Sequence, residues 1–281
     1  MKKITYILTT IALMAWACPA VGQSSDYGKL CQFFNIDKTV KAKLGEGEEG
    51  EDVAYQQNTI TALWPVTLNG KECPKLQKEL CYWLTGKEDI TQLDRAVENV
   101  LYTDNEGVSF GDNGPYIILD SFEGVNSFIS FSSSTIELKS LGNRFATFHL
   151  FFNMYYAGAA HGMYCHQYMT YDTQLDKIVK LEDVIIDPEL IRPHILESIN
   201  LKYDYSEEEL FLPEDKIPQV PSVFYFEDGF LHLVYQVYEI ASYAQGDIDV
   251  PIFYPDDGKA PEYLTPYGKE IMEESLLRET W

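Results

Sequence analysis

Basic residues are scarce in this chain of 281 residues: 21 Lys and Arg stand against 44 Asp and Glu, a formal charge of −23. That balance excludes nucleic acid as a natural partner, because phosphate is repelled, and favours cationic ones. No CxxC pair occurs, so the spacing suits no zinc framework. No GxSxG marks a serine nucleophile, and Ser130 to Ser134 lie in an alternating, strand-like run. The acidic run Gly45 to Asp52 lacks the spaced ligands of a DxDxDG calcium loop and reads as a solvated loop. Forty-four acids supply carboxylate pairs everywhere, so their abundance singles out no glycosidase site. No repeat of fixed period is present.

Long apolar runs are equally few. Ile4 to Trp16 follows Lys2 and Lys3 and is too short for a membrane span of about 18 or more residues; residues 1–22 therefore read as a signal peptide. Ala20-Val21-Gly22 ahead of Gln23 satisfies the small-x-small rule for cleavage. Ala15-Trp16-Ala17 ahead of Cys18 satisfies it too, and would make Cys18 a lipidated anchor. Cleavage after Gly22 is preferred, because Trp16 is bulky for a lipobox and Ala15 stands where a branched apolar residue is usual. The product is expected to be exported, periplasmic or at the cell surface, with no transmembrane span, and loss of Lys2 and Lys3 takes the charge from −23 to −25.

Four cysteines remain in the mature chain: Cys31, Cys73, Cys81 and Cys165. An oxidising compartment permits pairing in three ways. Cys73 and Cys81 on one helix would stand roughly 12 Å apart, beyond the about 7 Å that a disulfide tolerates between Cα atoms. A bond between them requires the helix to begin after Cys73. Free buried thiols and a disulfide framework both stay open.

The patterning predicts an α+β fold, an antiparallel sheet with helices packed on one side, in two subdomains, 23–113 and 114–281. Strands are expected over Tyr27 to Leu44, with Phe34, Ile36 and Val40 inward, and over Asn58 to Leu68, where Pro65 implies an edge or a bulge. Helices follow over Pro74 to Leu84 and, capped near Asp89, to Tyr102. Further strands are expected over Tyr116 to Phe122 and Ser127 to Leu138, then a short one from Lys177 to Lys180. The helix Pro188 to Tyr203 turns Leu190, Ile191, Ile195, Leu196 and Ile199 inward. A hairpin spans Val223 to Phe226 and Phe230 to Val237, a strand Asp247 to Tyr254, and a helical tail Tyr263 to Leu277.

The stretch from Arg144 to Asp183 organises the rest. Ala146, Phe148, Leu150, Phe152, Met154 and Tyr156 alternate with Thr147, His149, Asn153 and Tyr155, a half-buried strand. It turns through Ala157-Gly158-Ala159-Ala160-His161-Gly162 and returns as Met163 to Asp172. Gly158 and Gly162 permit positive φ and close backbone approach. His161 is the candidate functional histidine, titrating near neutral pH; the alternative is a ring whose nitrogens bond backbone and lock the turn. His161 and His166 would need a third ligand to hold a metal, and Glu239 serves only if the two motifs meet; no metal or cofactor is expected. Cys165 beside His166 reads as a core cysteine, since adjacent strand residues face opposite ways. Tyr235, Tyr238, Tyr243 and Tyr254 surround Glu239, as interface tyrosines or as the rim of a sheet core. Glu239 stands in an apolar run and is expected to tie its loop by pairing with Arg144 or His161.

These runs carry a family resemblance. Gly158-Ala159-Ala160-His161-Gly162, Tyr164, Tyr168, Tyr171-Asp172, Ile178 to Asp183, Phe224-Tyr225-Phe226, Gly229 and above all Tyr238-Glu239-Ile240-Ala241-Ser242-Tyr243-Ala244-Gln245-Gly246 resemble the extracellular domain of the RsiV anti-sigma factor. That domain of unknown function also precedes the catalytic domain of PdaC-type peptidoglycan deacetylases. The likeness covers about Ser121 to Asp256, with a weaker companion domain over Thr59 to Tyr102. It implies a binding module, with lysozyme as the partner in the RsiV case. The sequence departs from the family in holding neither a sigma-binding nor a deacetylase domain, and Ala159 replaces a usual glycine.

The expectation is thus an acidic, exported, non-catalytic binding protein of the cell envelope, recognising lysozyme, another cationic protein or peptidoglycan. The binding candidates are Gly158, His161, Gly162, Tyr164, Tyr235, Tyr238, Glu239 and Tyr243. A peptidoglycan-modifying hydrolase, or an accessory domain of one, is the alternative.

Overall fold

The computed structural model describes residues 31–46, 53–112, 114–205, 207–252 and 261–276. The leader 1–22 with Cys18, the start of the first expected strand at Tyr27, most of the acidic run, Tyr254 and Leu277 lie outside the described residues. The elements are β1 (Gln32–Leu44), β2 (Ala54–Leu68), β3 (Lys71–Glu72), α1 (Pro74–Thr85), α2 (Leu93–Leu101), β4 (Tyr116–Leu119), β5 (Ile129–Leu141), β6 (Phe145–Tyr155), β7 (Met163–Asp172) and β8 (Lys177–Ile178). Then come α3 (Leu181–Val184), α4 (Pro188–Tyr203), β9 (Val223–Glu227), β10 (Phe230–Tyr235), β11 (Ile248–Pro251) and α5 (Pro266–Leu276). The fold is α+β.

A large sheet runs β4-β1-β2-β5-β6-β7-β8, with β3 beside β2, and a smaller one runs β11-β10-β9. All pairs are antiparallel except β2–β5, which is parallel from Tyr55 opposite Ile129 to Ala62 opposite Ile136. The sheet crosses residue 114, since β4 pairs with β1. Pro65 lies where β5 has already left β2 and where β1 shifts register beside it, the bulge of the two expected alternatives.

Two cores share the hairpin β6–β7. In one, Leu76, Leu80, Val97 and Leu101 of α1 and α2 pack on Ile36, Ile60, Ile136 and the β6 residues Ala146, Phe148 and Leu150. In the other, Phe145 joins Ile191, Ile195 and Ile199 of α4, Leu231 and Leu233 of β10, and Ile271 of α5. The half-buried reading of β6 is therefore corrected: Thr147 on its second face is buried, its Oγ1 3.0 Å from that of Thr170, because the small sheet and its helices cover that side. Two helical details also change. The segment around Asp89 is not helical, and α2 starts after Gln92 without a side-chain cap. Leu190 is exposed while its neighbour Ile191 is buried, since Asp187 fixes the start of α4 by accepting from Glu189 N at 3.0 Å.

Among the described residues, Cys31, Cys73, Cys81 and Cys165 are free. Cys73 sits immediately before α1, so the helix does begin after it. Burial pushes the Cys73 thiol up to about 12 and the Cys81 thiol to about 11, so both are inert core groups. Cys165 is also pushed up by burial.

Arg144 bolts α5 to the end of the hairpin. Its Nε and Nη2 donate to Asp172 Oδ2 at 2.9 and 2.7 Å, and Nη1 to Glu270 at 2.6 Å. Tyr267 of α5 donates to the same Oδ2 at 2.7 Å, and Gln174 N and Leu175 N serve Oδ1. Burial alone would raise the Asp172 carboxyl, but Arg144, the backbone donors and Tyr267 together hold it below its ordinary 3.8. Its contribution is thus full above pH 3.8 and is lost as pH falls below that. Asp172→Ala should cost about 3 kcal/mol by leaving Arg144 with Glu270 alone and by removing the acceptor of Tyr267 and of two backbone N–H groups, seen as a lower urea midpoint with an unchanged slope; its acid-unfolding curve should also be flatter than that of the wild type.

Candidate functional site

The turn between β6 and β7 needs its two glycines for different reasons. Gly158 adopts φ +83°, where an L side chain is strained. At Gly162 a Cβ would stand 2.8 Å from the Met154 carbonyl oxygen, closer than packing allows. The turn is held by Ala159 N donating to Tyr156 O at 3.0 Å, Tyr155 OH to Ala159 O at 3.1 Å and Ala157 N to Ser130 Oγ at 2.9 Å.

His161 is exposed at the turn's tip. Its Nδ1 donates to Gly162 O at 2.9 Å, which leaves Nε2 to accept from Tyr238 OH at 3.3 Å. The ring stacks on Tyr243 with centroids 4.0 Å apart and planes at 24°. Tyr164 meets Tyr243 edge-on at 6.0 Å, and Tyr238 lies 5.6 Å from Tyr243. The glycine-histidine bend and the tyrosine-rich loop, 77 residues apart at the His161–Tyr238 contact, form one aromatic surface.

The loop from Gln236 to Asp247 carries Tyr238 and Tyr243, while Tyr164 lies on β7. Gln236 mimics a strand residue against β7: its Oε1 accepts from His166 N and its Nε2 donates to His166 O, both at 2.8 Å. Glu239 is exposed, and its Oε2 accepts from Gln236 N at 2.9 Å. Glu239 does tie its loop, but to that backbone N–H; Arg144 is committed to Asp172 and Glu270. Ile240 and Ala241 are buried and anchor the loop's middle, with Phe211 N donating to Ile240 O at 2.7 Å. Tyr238 has φ +68°, rare and costly for an aromatic residue. Tyr235 is placed elsewhere: it is buried in the second core, its OH donating to Gln219 O at 2.7 Å.

Beneath this surface runs a seam of rings that the sequence reading did not assemble. His149 and His166 stack with planes at 7°, and Nε2 of the first lies 2.8 Å from Nδ1 of the second. Tyr168 stacks on His149 at 4.9 Å and on Tyr225 at 4.1 Å, and Tyr225 on His232 at 4.5 Å. His232 Nδ1 and Tyr225 OH reach Asp249 at 3.0 and 2.8 Å. Burial would raise Asp249, yet His232, Tyr225 and Lys202 hold it below the usual carboxylate value. Burial and Asp249 raise the Tyr225 hydroxyl, which stays a donor. The signal was available: His149 falls on the face opposite Phe148 and Leu150, and a hairpin closing at 157–162 carries His166 and Tyr168 to it.

Among the described residues the ring nitrogens of His161 bond a carbonyl and a phenol, with no carboxylate or nucleophile in line as an acid–base relay requires. Among those residues no three His, Cys, Asp or Glu side chains gather closely enough to hold a metal ion. No helix among them is long and apolar enough to cross a membrane.

Comparison with known proteins places the second half of the chain. A family model described as "Protein of unknown function (DUF3298)" matches residues 170–254. The match spans the end of β7 through β11, and so includes the loop with Tyr238 and Tyr243 but not the turn with His161. No curated protein matches the chain. Two crystal structures share the fold: a member of the DUF3298 family from Bacteroides fragilis, 16% identical over 87% of this chain and 97% of its own, with a TM-score of 0.62; and a DUF3298 family protein from Pseudomonas aeruginosa, 14% identical over 84% and 95%, with a TM-score of 0.50.

Gly162→Ala should lower stability by about 1–3 kcal/mol, as forced contacts do, because the obstacle is a backbone oxygen. Thermal unfolding checks this, and a midpoint equal to the wild type would show that the turn is looser than described.

Proposed function

We propose that the protein is an exported, non-catalytic binding protein of the cell envelope, RsiV-like, whose recognition surface is formed by His161, Tyr164, Tyr238 and Tyr243. The partner proposed is a basic protein, with lysozyme as the candidate. The observation that supports this is the meeting of His161 with Tyr238 and Tyr243: the two motifs that carry the RsiV resemblance come together, with His161 and Tyr238 exposed and Tyr243 half-buried against them. Tyrosines of this kind contribute large contact area with little entropy to lose. The charge of −23 would steer a basic partner towards the surface. In this reading 1–22 is a leader removed after Gly22, 23–113 a companion subdomain, and 114–281 the recognition domain.

Immobilised lysozyme should retain the protein at low salt and release it at high salt. Tyr243→Ala, at the centre of the ring cluster, should weaken retention about tenfold with an unchanged circular dichroism spectrum. Wild-type protein that passes through at low salt removes lysozyme as the partner. Release of peptidoglycan fragments that disappears in His161→Ala would replace binding with the hydrolase reading.

A further inference from the structure

The large sheet has a second face that the small sheet covers only in part. On β1, β2, β5 and β6 the even-numbered residues Val40, Ile60, Ile136 and Leu150 enter the core under α1 and α2, and their odd-numbered neighbours point the other way. There Thr39, Thr59, Ser133, Asn153 and Tyr164 stand side by side in one row across β1, β2, β5, β6 and β7. Each of the five is at least partly exposed.

Larger side chains flank the row. Gln57, Phe131 and Tyr155 lie in register along one side, the two rings stacked at 5.8 Å. Thr61, Thr135 and Phe151 lie in register along the other. None of these six is buried. With strands about 4.8 Å apart and same-face residues about 6.8 Å apart, the row is a shallow groove roughly 19 Å long, lying between flanks roughly 13 Å apart.

The groove is uncharged and its polar groups are uncommitted. β2 and β6 hold no Lys, Arg, Asp or Glu, and β5 holds none before Glu137, although 23% of the chain is charged. Thr39 and Thr59 share a hydroxyl contact of 3.1 Å. Among the described residues, Gln57, Thr61, Ser133, Thr135 and Asn153 make no side-chain hydrogen bond. Their hydroxyls and amides can each donate and accept. The backbone beneath is engaged in the sheet on both sides of β2, β5 and β6, so an added strand finds no edge there and a ligand must be held by side chains.

We propose that this groove binds an uncharged polysaccharide strand, laid across the strands of the sheet. Sugar hydroxyls donate and accept as the floor groups do, and the apolar C–H surfaces of a sugar chain fit against Phe131, Tyr155 and Phe151. A floor without charge complements a ligand without charge. Nucleic acid would find no basic group in it, and a basic protein no carboxylate. The site is separate from the proposed recognition surface; the two meet only where Tyr164 lies edge-on to Tyr243.

The test titrates soluble oligomers of glucose and of N-acetylglucosamine, separately, into the full chain and follows its backbone amides by two-dimensional NMR. At least one oligomer should move the signals of 57–61, 131–135 and 151–155 and leave those of α4 in place. Its affinity should be equal at low and high salt, since no ion pair forms. Ser133→Tyr suits a strand and fills the groove, and it should weaken binding at least about tenfold. Should that variant not fold, the wild-type shift map decides. Floor signals that stay still with both oligomers, shifts confined to other elements, binding lost at high salt, or a folded Ser133→Tyr that binds as the wild type does each overturn the groove. No lysozyme is present, so failure here leaves the proposed partner standing, and failure to bind lysozyme leaves the groove standing.

Discussion

The strand pair β6–β7 is a wall shared by two cores, and the period-two alternation of its side chains is the constraint on which the rest depends. Ala146, Phe148 and Leu150 close the core under α1 and α2, while Phe145, one residue earlier, enters the core of α4, α5 and β10. Between these apolar contacts the second face carries Thr147, His149 and, across the register, Thr170, Tyr168 and His166. Arg144 and Asp172, at the end of the same wall, fix α5 to it. Each neighbouring element thus takes its position from one hairpin.

A polar seam between two sheets weakens neither when its groups are satisfied, and it makes the register of the hairpin specific. A slip of one residue would turn His149 and His166 into the apolar core and Phe148 and Leu150 out of it. The lost hydrogen bonds of buried imidazoles would cost as much as the misplaced hydrocarbon. Thr147 and Thr170, bonded side by side, impose the same penalty next to them. Stacked rings then fill the volume that aliphatic residues would fill in an ordinary sandwich, and Tyr168 bridges the two sheets by lying on both His149 and Tyr225.

What was legible in the sequence was local. The hairpin and its turn, the helix from Pro188 to Tyr203 and the hairpin around Gly229 are written in period, caps and glycines, and they stand within a few residues of expectation. Pairings between distant segments carry no such signature, so the parallel contact of β2 with β5 was not foreseen. The alternation in β6 is visible in the sequence, but the burial of its second face is not, because nothing within the hairpin announces that β9–β11 will cover it. The same gap hides the seam: His149 falls on the second face, and nothing within the hairpin shows that face covered. Glu239 was misjudged for a related reason. Its apolar neighbours Ile240 and Ala241 are anchors, and a sharp turn at Tyr238 lets Glu239 point outward and cap Gln236 N. Tyr235 and Tyr238 are three residues apart in one tyrosine-rich run, yet only the second leaves the core, since β10 ends between them.

The strained backbone at Tyr238 joins these observations. A left-handed aromatic residue costs of the order of 1–3 kcal/mol and persists only where its surroundings fix it. Here they are the Gln236 bonds to His166 on one side and the buried Ile240 on the other. Core packing gains nothing from the arrangement, because the ring it positions is about half exposed (49%) and is bonded to an exposed histidine. The strained backbone sets that ring 5.6 Å from Tyr243. The backbone at Tyr238 is thus pinned between two independent holds, the Gln236 bonds to the His166 main chain and the buried Ile240, and losing either would let it relax to a lower-energy shape.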